Sequence, residues 1–120
     1  MPQGCSGSNI HSIFTSQVEK AREATDMTNI RSAYAECFAA VLTETSDTKN
    51  GVTYTAATDS AASYATAGVK LTQKTTGWVT SNPNCGGTTL SADVAKPDAT
   101  IIVKVTDDGN APTFTVKSGS

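Results

Sequence analysis

The stretch NIHSIFTSQVEKAREATDMTNIRSAYAECFAAVLT, about residues 9–43, decides the fold, because its apolar and small residues recur in steps of three and four. That spacing is typical of one face of an α-helix, and neither Pro nor Gly interrupts the run. We therefore predict a single helix of about 50 Å. Its apolar face comprises Ile10, Ile13, Phe14, Val18, Ala21, Ala24, Met27, Ile30, Tyr34, Cys37, Phe38, Val41 and Leu42.

The opposite face of this helix carries the charged residues, and the sequence predicts that it is solvated. Glu19, Glu23, Asp26 and Glu36 share one flank, with basic residues among them. Acid/base chemistry by paired carboxylates needs a cleft and shifted pKa values, and a helix flank supplies neither. We expect these four carboxylates to face solvent or to form salt bridges between subunits.

The predicted helix is longer than the domain that carries it, because a chain of this size folds to about 30 Å across. Its first turns should lack partners within the chain, and an unpartnered apolar stripe indicates an interaction surface. The contact residues predicted there are Ile10, Ile13, Phe14 and Val18. The residues predicted to hold a sheet against the helix are Ala24, Met27, Ile30, Tyr34, Phe38 and Val41, with Trp78.

The remainder of the chain predicts short antiparallel strands, and the fold class is therefore α+β. Apolar and polar residues alternate around Val52, Val69, Val103 and Phe114, with turn residues between them. Residues 59–65 fit either a short helix or a loop that leads into a strand near Tyr64. We predict one domain over residues 9–117, with the β region at about 51–117. Residues 1–8 and 118–120 read as linkers or cloning scars.

Composition and charge narrow the function classes. The net charge is −2 and the pI is about 5.2, so no basic footprint for nucleic acid is evident. No segment approaches the ~18 apolar residues of a membrane span, and no signal peptide is visible. The sequence also lacks phosphate-loop, dinucleotide-binding and zinc-protease motifs. We expect no catalytic site, cofactor or metal.

Three other features are compatible with a functional role, but for each of them we predict a structural role. His11 is the single histidine and lies near the helix start, far from a triad arrangement. Asp107-Asp108-Gly109 lacks the spacing of a calcium loop and predicts a hairpin turn. The aromatic residues could line a carbohydrate-binding face, but we predict packing roles for most of them; they are Tyr54, Tyr64, Trp78 and Phe114.

The cysteines leave two alternatives open. Cys5 lies in the presumed scar, so Cys37 and Cys85 remain as a pair. A disulfide between them would close a long loop and stabilise the fold by roughly 2 to 4 kcal/mol. Two free thiols, one of them on the helix, are the other alternative.

Three blocks of the sequence resemble type IV pilins and pseudopilins, particularly those of Gram-positive bacteria. The block Ile13–Glu36 looks like the amphipathic second half of the pilin spine helix, just after the membrane segment. Val69–Lys74, followed by Gly77-Trp78, is similar to a strand and turn of those subunits, and Gly86-Gly87 fits the loop that follows. The apolar first half of that helix is missing from this chain, and Ser12 stands where pilins often carry a proline.

The resemblance implies a structural filament subunit and not an enzyme. The full protein would be membrane-anchored, cleaved by a prepilin peptidase, methylated at its new N-terminus and added to an extracellular helical filament. Its partners would be other pilin subunits. Two alternatives stay open: a pseudopilin of a secretion or DNA-uptake machine, and a carbohydrate- or receptor-binding adhesin module.

Overall fold

The structure is a computed structural model that describes residues 8–78 and 82–117, with side chains from Gln17 onward. One long helix precedes a set of antiparallel strands, so the α+β class is confirmed at this level. The elements in chain order are α1 (Ser8–Thr43), β1 (Thr53–Thr55), β2 (Tyr64–Lys70), β3 (Asn84–Cys85), β4 (Thr88–Thr89), β5 (Thr100–Thr106) and β6 (Thr113–Val116), with short 3₁₀ turns at Thr48–Asn50 and Ala92–Val94.

Four strands form one antiparallel sheet in the order β1-β2-β5-β6. In the central pair, Ala67 lies opposite Val103 and Val69 opposite Ile101, so small and branched side chains share the inner face. β3 and β4 form a separate hairpin, inserted with its flanking loops between β2 and β5. The ambiguous segment before Tyr64 contains no helix, and a strand begins at that residue.

The core lies between α1 and the inner face of the sheet. Ile30, Cys37, Ile101 and Val103 are fully or almost fully buried in it. The buried apolar positions of α1 follow the helical repeat because a helix turns by about 100° per residue. These positions are Met27, Ile30, Ala33, Cys37, Ala40 and Val41.

Two residues predicted for the helix–sheet core lie elsewhere. Ala24 is exposed and Phe38 is 46% exposed, so both predictions were wrong. The reason is helical phase: Ala24 lies about 120° and Phe38 about 80° around the helix from Ile30, toward the solvent side.

The other residues predicted for the core or for subunit contacts divide into three groups. Met27, Ile30 and Val41 are buried in the core, and Tyr34 and Trp78 are partly buried against it. Val18 is half-buried. The side chains of Ile10, Ile13 and Phe14 lie outside the described residues, so their predicted contact role stays a prediction.

Local backbone geometry fixes the turns that shape the domain. After Thr43, Glu44 adopts a left-handed conformation, and the Thr45 amide donates to the Ala40 carbonyl at 3.1 Å. This is a Schellman-type helix end. In the β3–β4 turn, Gly86 has φ +61°, and a Cβ there would meet the Tyr34 ring at 2.8 Å. A glycine is therefore required at that position.

The helix extends beyond the sheet. Its 36 residues correspond to about 54 Å of helix, and the molecule measures 63 × 27 × 25 Å. Strands of seven residues or fewer span only about 24 Å. The fold thus presents a rod of which only part can pack on its own sheet.

Candidate functional site

The buried face of α1 continues toward the N-terminus, beyond its apolar residues, as a row of carboxylates. Glu19, Glu23 and Asp26 are 5%, 6% and 0% exposed, so the prediction of a solvated flank was wrong for these three. They precede Ile30 by eleven, seven and four residues and therefore share its helical phase. Glu36 is half-buried. Residues 72–75, in the segment that follows β2, bind two of these carboxylates, Asp26 and Glu19.

Asp26 binds the start of that segment. Its Oδ1 accepts hydrogen bonds from the Thr72 amide and the Thr72 hydroxyl, both at 2.8 Å, and its Oδ2 accepts one from the Gln73 amide at 3.1 Å. Hydrogen bonds to an ionised acceptor are stronger than neutral ones. The carboxylate therefore satisfies two consecutive backbone donors that leave the sheet.

Glu19 binds the next two residues in the same way. Its Oε2 accepts hydrogen bonds from the Lys74 amide at 3.0 Å, the Thr75 amide at 3.1 Å and the Thr75 hydroxyl at 2.9 Å. The Arg22 guanidinium lies 3.2 Å from Oε1. Four successive amides, 72–75, thus donate to two helix carboxylates, an arrangement called here the carboxylate clamp. Its acceptors are occupied by backbone donors, so it fastens a loop and offers no free base.

The pKa of Glu19 reflects this environment. Burial by itself raises it, but the hydrogen bonds from the Thr75 amide and hydroxyl and from the Lys74 amide, together with Arg22, outweigh burial. The net result is a pKa below the ordinary value of 4.5, as expected where the charged form is hydrogen-bonded.

We expect the clamp to weaken in acid. A carboxyl whose folded pKa is depressed contributes stability that is present above its unfolded pKa and is lost as the pH falls through the folded pKa. Replacing Glu19 by Gln should therefore destabilise the protein at pH 7 and matter progressively less below about pH 4.5. Urea unfolding of both proteins at several pH values measures the difference. A difference that stays constant from pH 7 to pH 3 would contradict this role.

The loop that the clamp holds is also anchored at its far end. Gln73 is 1% exposed, and its Nε2 donates to the Gly77 carbonyl at 3.0 Å. The Trp78 indole Nε1 donates to the Ser91 carbonyl at 3.0 Å. Trp78 thereby ties this loop to the segment before β5, which supports its predicted packing role. Gln73 Oε1 is buried without a partner among the described residues.

Cys37 and Cys85 are both buried and free in the structure, which matches the second of the two alternatives. Burial, together with a smaller contribution from the nearby Glu36, raises the pKa of the Cys37 thiol to about 11. Burial also raises the pKa of Cys85, although Arg31 opposes the shift. Thiols of this kind are poor nucleophiles because the reactive species is the thiolate.

We expect neither buried thiol to react while the protein is folded. In a Cys5→Ser background, a thiol reagent at pH 8 should modify neither Cys37 nor Cys85 in the native state, and both after unfolding in urea without reductant. Thiol counting by absorbance gives the answer. Two thiols that appear only after a reductant is added would show that the cysteines are bridged.

A shallow groove with apolar residues on its helix side lies beside the C-terminal half of α1. It has a volume of about 460 Å³ and is lined on the helix by Tyr34, Phe38 and Leu42 and on the other side by the β5–β6 turn. Tyr34 and Phe38 contact one another with ring centroids 6.1 Å apart. Leu42 is 69% exposed, so this end of the helix presents apolar surface to solvent.

The remaining sequence candidates have structural positions. Asp107 and Asp108 lie in the turn between β5 and β6, where Asp108 accepts hydrogen bonds from the Asn110 amide and side chain at 3.0 Å each. Tyr54 and Phe114 are partly buried against the core. The side chain of His11 lies outside the described residues. Across 17–78 and 82–117, no cluster of three or more potential metal-ligating side chains occurs.

The sequence does carry a signal for the carboxylate clamp. Carboxylates at positions 19, 23 and 26 repeat with the same period as the apolar residues that follow. A phase comparison with Ile30 would have placed them on the buried stripe. The donors in 72–75 could not be inferred because backbone amides carry no sequence signature.

Comparison of the chain with protein-family models, curated proteins and solved structures finds no match. None of the described helices is apolar enough over a sufficient length to cross a bilayer.

Proposed function

We propose that this chain is the globular part of a type IV pilin-like subunit, a building block of an extracellular filament with a structural and not a catalytic role. One observation carries the proposal. An uninterrupted helix, Ser8–Thr43, packs along one face of a four-stranded antiparallel sheet and extends beyond it. A rod that projects from a compact domain is suited to lateral packing with copies of itself.

The solvent side of α1 supports the proposal. Ala21, Ala24, Ala35 and Ala39 are all exposed there, where an isolated surface helix would normally carry charged residues. Small side chains let two helices approach closely. Residues 10 and 13 each precede one of these alanines by eleven positions, which is close to three helical turns. Ile10 and Ile13 thus fall near the same helical phase, and so does Phe14, which precedes Ala21 by seven positions, close to two turns.

Assembly would be heterologous, with different surfaces of each copy in contact. Such contacts generate an open helical fibre when the rotation between copies does not close. In the intact subunit we propose an apolar helical segment upstream of Ser8, which would anchor it in the membrane before assembly and bundle with its counterparts in the filament. Burial of that segment would supply the main driving force.

Two alternative functions remain to be distinguished from the pilin proposal. A pseudopilin of a secretion or DNA-uptake machine would have the same fold, because the difference lies in the machine and not in the subunit. An adhesin module would need a recognition surface and no self-assembly. Self-assembly therefore separates the filament readings from the adhesin reading.

The test supplies an apolar helix of about 20 residues upstream of Ser8 and removes detergent from the purified protein. Electron microscopy should show fibres with a regular subunit repeat. A charged pair, Ile13→Glu with Phe14→Glu, should abolish them, whereas a matched pair on the sheet, Thr113→Glu with Thr115→Glu, should leave them intact. Amorphous aggregates, or fibres equally sensitive to both pairs, would contradict the proposal.

A further inference from the structure

The face of the sheet that points away from α1 has an unusual composition. Side chains alternate along each strand, and the buried partners Ala65, Ala67, Ile101 and Val103 define the inner side. The neighbouring positions form the outer sheet face. Its residues are Thr53, Thr55, Tyr64, Thr66, Gly68, Lys70, Thr100, Ile102, Lys104, Thr106, Thr113, Thr115 and Lys117.

The charge of this face is of one sign. Lys70, Lys104 and Lys117 are exposed, and the described strands place no Asp or Glu among them, although the whole chain has a net charge of −2. None of the three lysines forms an ion pair with a described carboxylate. Three of the seven lysines of the chain thus share a face without a counter-charge.

The register of the strands fixes how the lysines are spaced. Lys70 lies opposite Thr100, and the Lys117 amide donates to the Thr100 carbonyl on the other side at 2.8 Å. Lys70 and Lys117 are therefore two strands apart, about 10 Å. Lys104 is four residues further along β5, about 13 Å away. Its ammonium lies 4.3 Å from the centre of the Tyr64 ring, which holds it on the face.

The threonines between these lysines are exposed or partly exposed. Seven of them lie on the outer sheet face, and none of their hydroxyls is hydrogen-bonded to another described protein group. A hydroxyl both donates and accepts. The face thus combines separated positive charges with a regular array of hydroxyls whose partners come from outside the protein.

We propose that the outer sheet face binds an acidic polysaccharide, with the three lysines pairing with its carboxylates and the threonine hydroxyls binding its sugar hydroxyls. Nucleic acid fits less well, because its charges are much denser and the one ring of the face, Tyr64, is already covered by Lys104, so no free stacking platform remains. A membrane surface fits less well because no large exposed apolar side chain of this face could insert.

This inference does not depend on filament assembly and is tested on the chain as it stands. The probe is polygalacturonate, titrated at low ionic strength, with the neutral polymer dextran for comparison. The wild-type protein should bind the acidic polymer and not the neutral one. The variant Lys70→Gln/Lys104→Gln/Lys117→Gln should lose about tenfold or more in affinity, because each exposed ion pair contributes a modest amount.

A matched variant tests whether binding depends on the lysines of the outer sheet face or only on the net charge of the protein. Lys20, Lys49 and Lys96 are exposed on other elements, and their replacement by Gln changes the net charge by the same amount with little expected effect. A Thr66→Val variant, which removes one hydroxyl from the centre of the face, should weaken binding by a few-fold. Circular dichroism verifies that all variants are folded.

Three results would overturn the proposal. The first is that the wild-type protein does not bind polygalacturonate at all, and the second is that both triple-lysine variants lose affinity equally. A single-stranded oligonucleotide of the same total charge could also bind more tightly than the polysaccharide. Each of these outcomes removes the acidic polysaccharide as the ligand of this face.

Discussion

Replacing Asp26 by Ala should destabilise the protein by about 3 kcal/mol. The change removes an acceptor of three hydrogen bonds, those from the Thr72 amide, the Thr72 hydroxyl and the Gln73 amide. Asp26 is fully buried, and a buried donor left without a partner costs its full desolvation free energy. Chemical denaturation at pH 7 measures the change in the free energy of unfolding.

The carboxylate clamp also predicts a local change in amide exchange. In Asp26→Ala, amide exchange should accelerate at residues 72–75 more than in β5, because the loop loses its attachment to the helix. Asp59→Ala is the matched control, since Asp59 is exposed and its loss should change stability by less than about 0.5 kcal/mol. Equal stability of Asp26→Ala and wild type would show that the carboxylate clamp does not hold the loop.

Replacing Ile30 by Ala should destabilise the protein at least as much, by about 3 to 4 kcal/mol. Ile30 is fully buried between α1 and the sheet. Truncation there removes buried apolar atoms and leaves a cavity that the surrounding side chains fill only in part. Thermal or urea unfolding gives the value.

A second apolar residue of the same helix provides the control. Leu42 is 69% exposed, so Leu42→Ala should cost less than about 1 kcal/mol. The two variants have nearly the same change in side-chain volume and differ mainly in burial. Similar losses for both would mean that the helix does not pack on the sheet along the stripe that contains Ile30.

Periodicity predicted the helix and the sheet well because each element repeats the pattern of its buried face. The helix was expected over about 9–43 and is found at Ser8–Thr43. The alternation at Ile101, Val103 and Val105 predicted β5, whose inner face these residues form. Strong, long patterns of this kind leave little choice of register, because a slip by one residue would expose every buried side chain.

The burial of some residues was not predicted by periodicity, because it depends on their position around the helix and on hydrogen bonds from the backbone. Apolar character predicts a core position for Ala24 and Phe38, but a spacing of three and four residues drifts around the helix over several turns. Charge predicts a solvent-exposed position for Glu19 and Asp26. In the structure, backbone amides compensate for their burial, and tertiary contacts of that kind cannot be predicted from residue type alone.

Function was less accessible than fold. The resemblance to pilins depended on residues 13–36 and on short blocks in the β region, and the described structure adds a helix–sheet arrangement with which that resemblance is compatible. The outer sheet face could not be predicted from the sequence because its lysines are far apart in the chain. Only the pairing of β2, β5 and β6 brings them together.

The most direct test of the central claim, that this helix–sheet domain is a filament subunit, is a cryo-electron microscopy reconstruction of fibres formed by the chain with an added upstream apolar helix. We predict helices bundled around the fibre axis, contacts between copies at Ile10, Ile13, Phe14 and Val18, and the outer sheet face directed to solvent. Fibres built by edge-to-edge pairing of strands, with the helices at the periphery, would contradict the account.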